Sequence, residues 1–74
     1  MALTVDSLVR ISAAGGGLIL DSKGFTVDSL VRIAAATKTK GAKLTILNVS
    51  GLTVDSMVRI SAAGDGNVIF DTTK

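Results

Sequence analysis

The chain of 74 residues contains no cysteine, histidine, tyrosine or tryptophan, and all six of its acidic residues are aspartates. Without cysteine or histidine it has no thiol nucleophile, no imidazole base and none of the usual zinc ligands. Because no disulfide can stabilise this small domain, self-association remains as a means of adding stability. We therefore expect a protein that is not an enzyme and that holds no metal and no cofactor.

Aromatic residues and net charge are also scarce. Phe25 and Phe70 are the two aromatic residues, although 47% of the chain is apolar, so the core must be aliphatic. A net charge of +2 is too small to indicate nucleic-acid binding by itself. The sequence has no apolar stretch near the roughly 20 residues of a membrane span and no secretory signal pattern. We expect one soluble cytoplasmic domain covering residues 1–74.

One segment occurs three times. A tandem repeat of a single supersecondary unit indicates that each copy buries its apolar face by stacking on its neighbours. The copies begin LTVDSLVRISAA at Leu3, FTVDSLVRIAAA at Phe25 and LTVDSMVRISAA at Leu52, within repeats 3–24, 25–51 and 52–74.

The segment that the three copies share predicts a helix in each copy. In the first copy, Thr4 can cap the helix, Asp6 suits the positive end of the helix dipole, and Gly15 ends the helix. Apolar residues at helical spacing predict an inner face. Its members are Leu8, Ile11 and Ala14, then Leu30, Ile33 and Ala36, then Met57, Ile60 and Ala63.

Each helix is followed by a short run of β-formers, at 18–20, 44–47 and 68–70. Strands that alternate with helices indicate right-handed crossovers and a parallel sheet. The expected fold is α/β: a short solenoid of three helix-strand repeats, with a parallel sheet of order 1-2-3 and the helices on one face.

Strand register follows from counting back from Gly24 and Gly51, the glycines before the second and third helices. This alignment places Ile19, Ile46 and Ile69 in one row on the open sheet face, with Leu20, Leu47 and Phe70 toward the helices. A parallel sheet seldom leaves a face in water, and its edge strands can pair with another chain. We expect a homo-oligomer, most simply a twofold dimer, formed through this isoleucine face or through a strand edge.

Valines form a second apolar line on the helices, at i and i+4. This line either packs between adjacent helices, which we favour, or forms a further contact surface. The pairs are Val5 and Val9, Val27 and Val31, and Val54 and Val58.

Basic residues offer an alternative function. Each helix carries an Asp and an Arg at i and i+4, which either pair with each other, form an ion-pair ladder between helices, or leave an arginine stripe for phosphates. Three lysines follow the second helix, where they suit the helix dipole. A weak anion or nucleic-acid binder would use Arg10, Arg32 and Arg59 with Lys38, Lys40 and Lys43.

Polar residues end the three strands. Asp21, Asn48 and Asp71 fall where open α/β sheets often bind ligands, and their oxygens suit a hard cation. Such residues also commonly accept hydrogen bonds from turn amides, which is the interpretation we favour. The glycine run that begins at Gly15 follows a helix rather than a strand, so it does not match a phosphate-binding loop.

The pattern Leu/Phe-Thr-Val-Asp-Ser-Leu/Met-Val-Arg-Ile-Ser/Ala-Ala-Ala, followed by a strand, resembles the helix-strand tandem repeats of small uncharacterised bacterial proteins. It is more distantly similar to leucine-rich repeats. The resemblance implies an α/β repeat architecture and brings no catalytic residue to this chain. Leucine-rich repeats place an asparagine at the bend, which Asn48 could match, whereas Asp21 and Asp71 depart from that pattern.

Overall fold

A computed structural model describes residues 4–73, in which helices and strands alternate along the chain. The helices are α1 (Val5–Ala13), α2 (Val27–Thr37) and α3 (Val54–Gly64), and the strands are β1 (Leu18–Asp21), β2 (Leu44–Leu47) and β3 (Val68–Phe70). Short 3₁₀ turns, Ser22–Gly24 and Val49–Gly51, connect β1 to α2 and β2 to α3. Within residues 4–73 no helix has the length and apolar character needed to cross a bilayer.

The same local chemistry starts all three helices. Thr4, Thr26 and Thr53 are extended at the N-cap, and each hydroxyl accepts a hydrogen bond from a backbone N–H three residues later, at 3.1 to 3.2 Å. These bonds satisfy amides that lack a partner within the helix. The predicted threonine caps are therefore confirmed.

The three strands form one parallel sheet in the order β1-β2-β3, as predicted. Leu44 and Ile46 of the central strand are fully buried in a cluster to which all three helices contribute. The helices therefore cover one face of the sheet. The opposite face exposes Ile19 and Ile69.

The predicted strand register is wrong by one residue in the central strand. Ile46 is fully buried and pairs with Leu20 and Phe70, whereas Thr45 pairs with Ile19 and Ile69. The cause is Asn48, which adopts the left-handed conformation (φ 58°) and adds one residue between β2 and its 3₁₀ turn. Counting back from Gly51 includes this extra residue, so the predicted position of each β2 residue is shifted by one. A shift of one residue moves a side chain to the other face of the sheet.

Candidate self-association surfaces

The open sheet face carries different residues from those that the sequence indicated. Ile19 is 71% exposed and Ile69 is 52% exposed, but the residue between them on the central strand is Thr45. Ile46 belongs to the core and does not contribute to this face. Leu47, two residues after Thr45, lies on this same face and is half-buried, so its predicted place toward the helices is wrong. A threonine thus stands where the sequence predicted the central isoleucine, and the row of three isoleucines does not form.

Polar residues at the strand ends bind one another and nearby backbone. Asn48 Nδ2 donates to Asp21 Oδ2 at 2.8 Å, and the Asn48 carbonyl accepts from the buried Ser22 hydroxyl at 2.6 Å. The Lys23 N–H donates to Asp21 Oδ1 at 2.9 Å. This backbone hydrogen bond is the largest cause of the lowered pKa of Asp21. Desolvation raises the pKa in part, whereas the hydrogen bond from the Asn48 amide and the charge of Lys23 lower it further.

The last strand ends in the same kind of turn. The Thr73 N–H donates to Asp71 Oδ1 at 3.0 Å, so Asp71, like Asp21, accepts from a backbone amide two residues ahead. The interpretation of these residues as turn-stabilising is confirmed for both aspartates. The part of the chain that the structure describes contains no group of three acidic side chains arranged to hold a metal ion.

The arginines connect neighbouring helices. Arg32 of α2 donates to Asp6 of α1 at 3.1 Å, and Arg59 of α3 donates to Asp28 of α2 at 3.4 Å. Among the three interpretations of the Asp and Arg residues, the ladder between helices is the one observed. The pairs are solvent-exposed, so each contributes at most about 1 kcal/mol to stability.

Each lysine of the proposed anion site lies near the α2–β2 connection. Lys38 is the C-cap of α2, Lys40 follows in the turn, and Lys43 Nζ donates to Asn67 Oδ1 at 3.3 Å. Arg32 lies six residues before Lys38, about 9 Å along the helix axis. The lysines thus lie together at the end of one helix, while Arg32 is directed to a different element.

The outer flank of α3, on which no helix of residues 4–73 packs, is an apolar groove. We define the tail face as Val54, Met57, Val58 and Ser61, which are spaced along one side of this helix. Val54 is 72% exposed and Val58 is 59% exposed. Val5, Val9 and Val31 pack against the core, so the packing interpretation holds for these three and fails for the last pair. Val27 is half-buried.

The outer flank of α1 is the opposite end of the helix layer. We define the head face as Ser7, Arg10, Ile11 and Ala14, which also lie along one side of a helix. Ile11 is 37% exposed, so its predicted place on the inner face is wrong. Its side chain instead packs beside Gly16, where an added Cβ would lie 2.6 Å from Ile11 Cγ2.

Sequence reasoning did not single out the two end faces. It treated the six valines as equivalent, although within residues 4–73 α3 is the helix without a neighbouring helix on that side. The signal that could have found them is that the first and third helices carry the same apolar residues as the second, which packs between them. No protein-family model, no curated protein and no solved structure matches this chain.

Proposed function

We propose that this protein is a non-enzymatic scaffold that acts through protein contacts and associates with other copies of itself. In this proposal the three helix-strand repeats form a short solenoid, and its bare surfaces are the contact surfaces. Repeat arrays of this kind bury a continuous core only between neighbours, so each terminal repeat leaves one flank uncovered.

The distribution of exposed apolar side chains is the observation that supports the proposal. Within residues 4–73 the large hydrophobic side chains in solvent fall on the open sheet face, the head face and the tail face. They are Ile11, Ile19, Val54, Val58 and Ile69. Apolar surface concentrated on particular faces is typical of protein contact sites.

The alternative, an anion or nucleic-acid binder, receives less support. Two of its three arginines already pair with aspartates of the preceding helix, so phosphate binding would have to compete with Asp6 and Asp28. Only Arg10 of the arginine set makes no ion pair among the described residues.

A dilution series followed by amide NMR tests the proposal. We expect concentration-dependent shifts between about 10 µM and 1 mM, the range of weak self-association. The shifts should cluster on one or more of the three bare faces. Spectra that do not change with concentration would contradict self-association. Shifts that appear only when short DNA or RNA is added, and that vanish as salt rises, would favour the alternative.

A further inference from the structure

We propose that copies of this chain associate head to tail, the tail face of one copy docking on the head face of the next. This inference rests on the proposed self-association and names its two surfaces and its partner, a second copy of the chain. A contact between two different faces leaves one of each free, so the assembly is open-ended rather than a closed dimer.

The side of α3 that forms the tail face corresponds to the sides of α1 and α2 that contact the next helix. Val5 and Val9 of α1 pack against the core beside α2, as does Val31 of α2 beside α3, and Val27 is half-buried. The matching residues of α3 are Val54 and Val58, and they are exposed because no helix of residues 4–73 packs on that flank. The surface that α3 presents is therefore the one that α1 and α2 use to bind the next helix.

The head face is likewise a surface that the second and third helices bury inside the protein. Ile33 of α2 and Ile60 of α3 are fully buried, and each occupies the position that Ile11 occupies in α1. Of these three isoleucines only Ile11 is exposed, because no helix of residues 4–73 packs on that flank of α1. A helix with the residues of α3 placed beside α1 would cover Ile11 as α1 and α2 cover its two counterparts.

Charge complementarity selects the same partner and orientation. In both ion pairs the arginine of one helix binds the aspartate of the helix before it, Arg32 to Asp6 and Arg59 to Asp28. This direction leaves Arg10 without a preceding aspartate and Asp55 without a following arginine, and neither makes an ion pair within residues 4–73. Stacking two copies head to tail brings this unmatched pair together.

The backbone of the edge strands continues the same pattern. The Leu18 N–H donates to the Lys43 carbonyl at 3.0 Å, and the Leu44 N–H donates to the Asn67 carbonyl at 2.9 Å. The next donor in this series is the Val68 N–H, and the matching acceptor is the Gly17 carbonyl of the following copy. Parallel pairing of β3 with the following copy's β1 would extend the sheet in the same register.

Two blocked variants test this arrangement by light scattering behind size exclusion. Arg10→Asp blocks the head by opposing Asp55, and Val58→Asp blocks the tail by placing a charge on its apolar centre. We expect each variant alone to be monomeric at concentrations where the unmodified chain assembles, with association weakened about tenfold or more. Mixed together, they should form a dimer and nothing larger, because only one intact tail and one intact head remain.

Other outcomes separate this inference from the proposed function. If either blocked variant still dimerises alone, or if the mixture gives no dimer, the head-to-tail arrangement is wrong even though self-association stands. The control for the sheet face is Thr45→Lys, which charges the centre of that face and should leave assembly unchanged. Loss of assembly in that variant alone would place the contact on the sheet face. Lys38→Asp makes the same charge change as Arg10→Asp away from both ends and should also assemble normally.

A gain-of-affinity variant distinguishes docking from loss of folding. Ser61 on the tail face corresponds to Ser12 of α1, whose hydroxyl is fully buried and has no hydrogen-bond partner among the described residues. Docking would bury Ser61 in the same way, so Ser61→Ala should tighten association about fivefold. Unchanged affinity would place Ser61 outside the contact and contradict the arrangement.

Discussion

The two isoleucines at positions 19 and 46 should respond very differently to the same truncation. Ile46 is fully buried in the core cluster, whereas Ile19 is 71% exposed on the open sheet face. Ile46→Ala should therefore lower the free energy of unfolding by about 3 kcal/mol, as for other buried aliphatic residues. Ile19→Ala should change it by about 0.5 kcal/mol or less.

Urea unfolding followed by far-UV circular dichroism measures both values, since the chain has no tryptophan or tyrosine to report by fluorescence. With a slope near 1 kcal/mol per molar for a chain of this size, Ile46→Ala should lower the midpoint by about 3 M. Should this variant be unfolded in water, Ile46→Val with an expected loss of about 1 kcal/mol replaces it. Equal losses of stability at both positions would refute the observed register, because they would indicate that the two side chains lie on the same face of the sheet.

Three further substitutions test particular features of the structure. Ser12→Ala should raise the free energy of unfolding by about 1 kcal/mol in urea titrations, because it removes a buried hydroxyl without a partner. Gly64→Ala should lower it by about 1 kcal/mol, since the new Cβ overlaps Val68 Cγ2 and the gain in helix propensity only partly offsets this; Gly51→Ala, with open space around it, should be nearly neutral. Asp21→Asn should flatten the acid dependence of stability measured by thermal unfolding. The lowered pKa of Asp21 stabilises the fold above the ordinary carboxyl value near 4, and that contribution is lost as the pH falls through the lowered value.

Each of these predictions has a control. Ser61→Ala alters an exposed hydroxyl, so at a concentration where the chain is monomeric it should be nearly neutral for stability. Asp65→Asn makes the same change at a carboxylate that accepts no side-chain hydrogen bond within residues 4–73, and it is the matched control for the change of net charge. A loss of stability in Ser12→Ala, or an acid dependence in Asp21→Asn equal to that of the unmodified chain, would contradict the assigned contacts.

The architecture could be predicted because its determinants are local in sequence. A threonine cap followed by an aspartate starts each helix, and short β-forming runs after each helix specify parallel strands. The helix order and the sheet order follow from short connections, which place successive units side by side.

The register of β2 could not be predicted in the same way. The register depends on whether the extra residue of the second connection falls within β2 or after it. Counting forward from the start of the strand and counting back from Gly51 give different answers. Asn48 resolves this in three dimensions, because its left-handed backbone absorbs the extra residue while its side chain and carbonyl bind Asp21 and Ser22. Asparagine tolerates this conformation better than most residues, which is a signal that a local sequence analysis could use.

The end faces depend on where a helix lies in the helix layer and not on its own residues. Val31 and Val58 occupy the same position of the repeated segment, yet the first packs against the core and the second is 59% exposed. The same holds for Ile33 and Ile11. The place of each helix in the layer of three decides the exposure of these side chains, so the candidate contact sites become visible only in the three-dimensional structure.

Sedimentation equilibrium of the unmodified chain over a range of loading concentrations tests the central claim most directly. Head-to-tail association predicts that the average mass rises from the 7.5 kDa of one copy and passes the mass of two copies without a plateau. A plateau at two copies would indicate a closed dimer and would contradict the head-to-tail arrangement. A mass that stays at 7.5 kDa at every concentration would contradict self-association altogether.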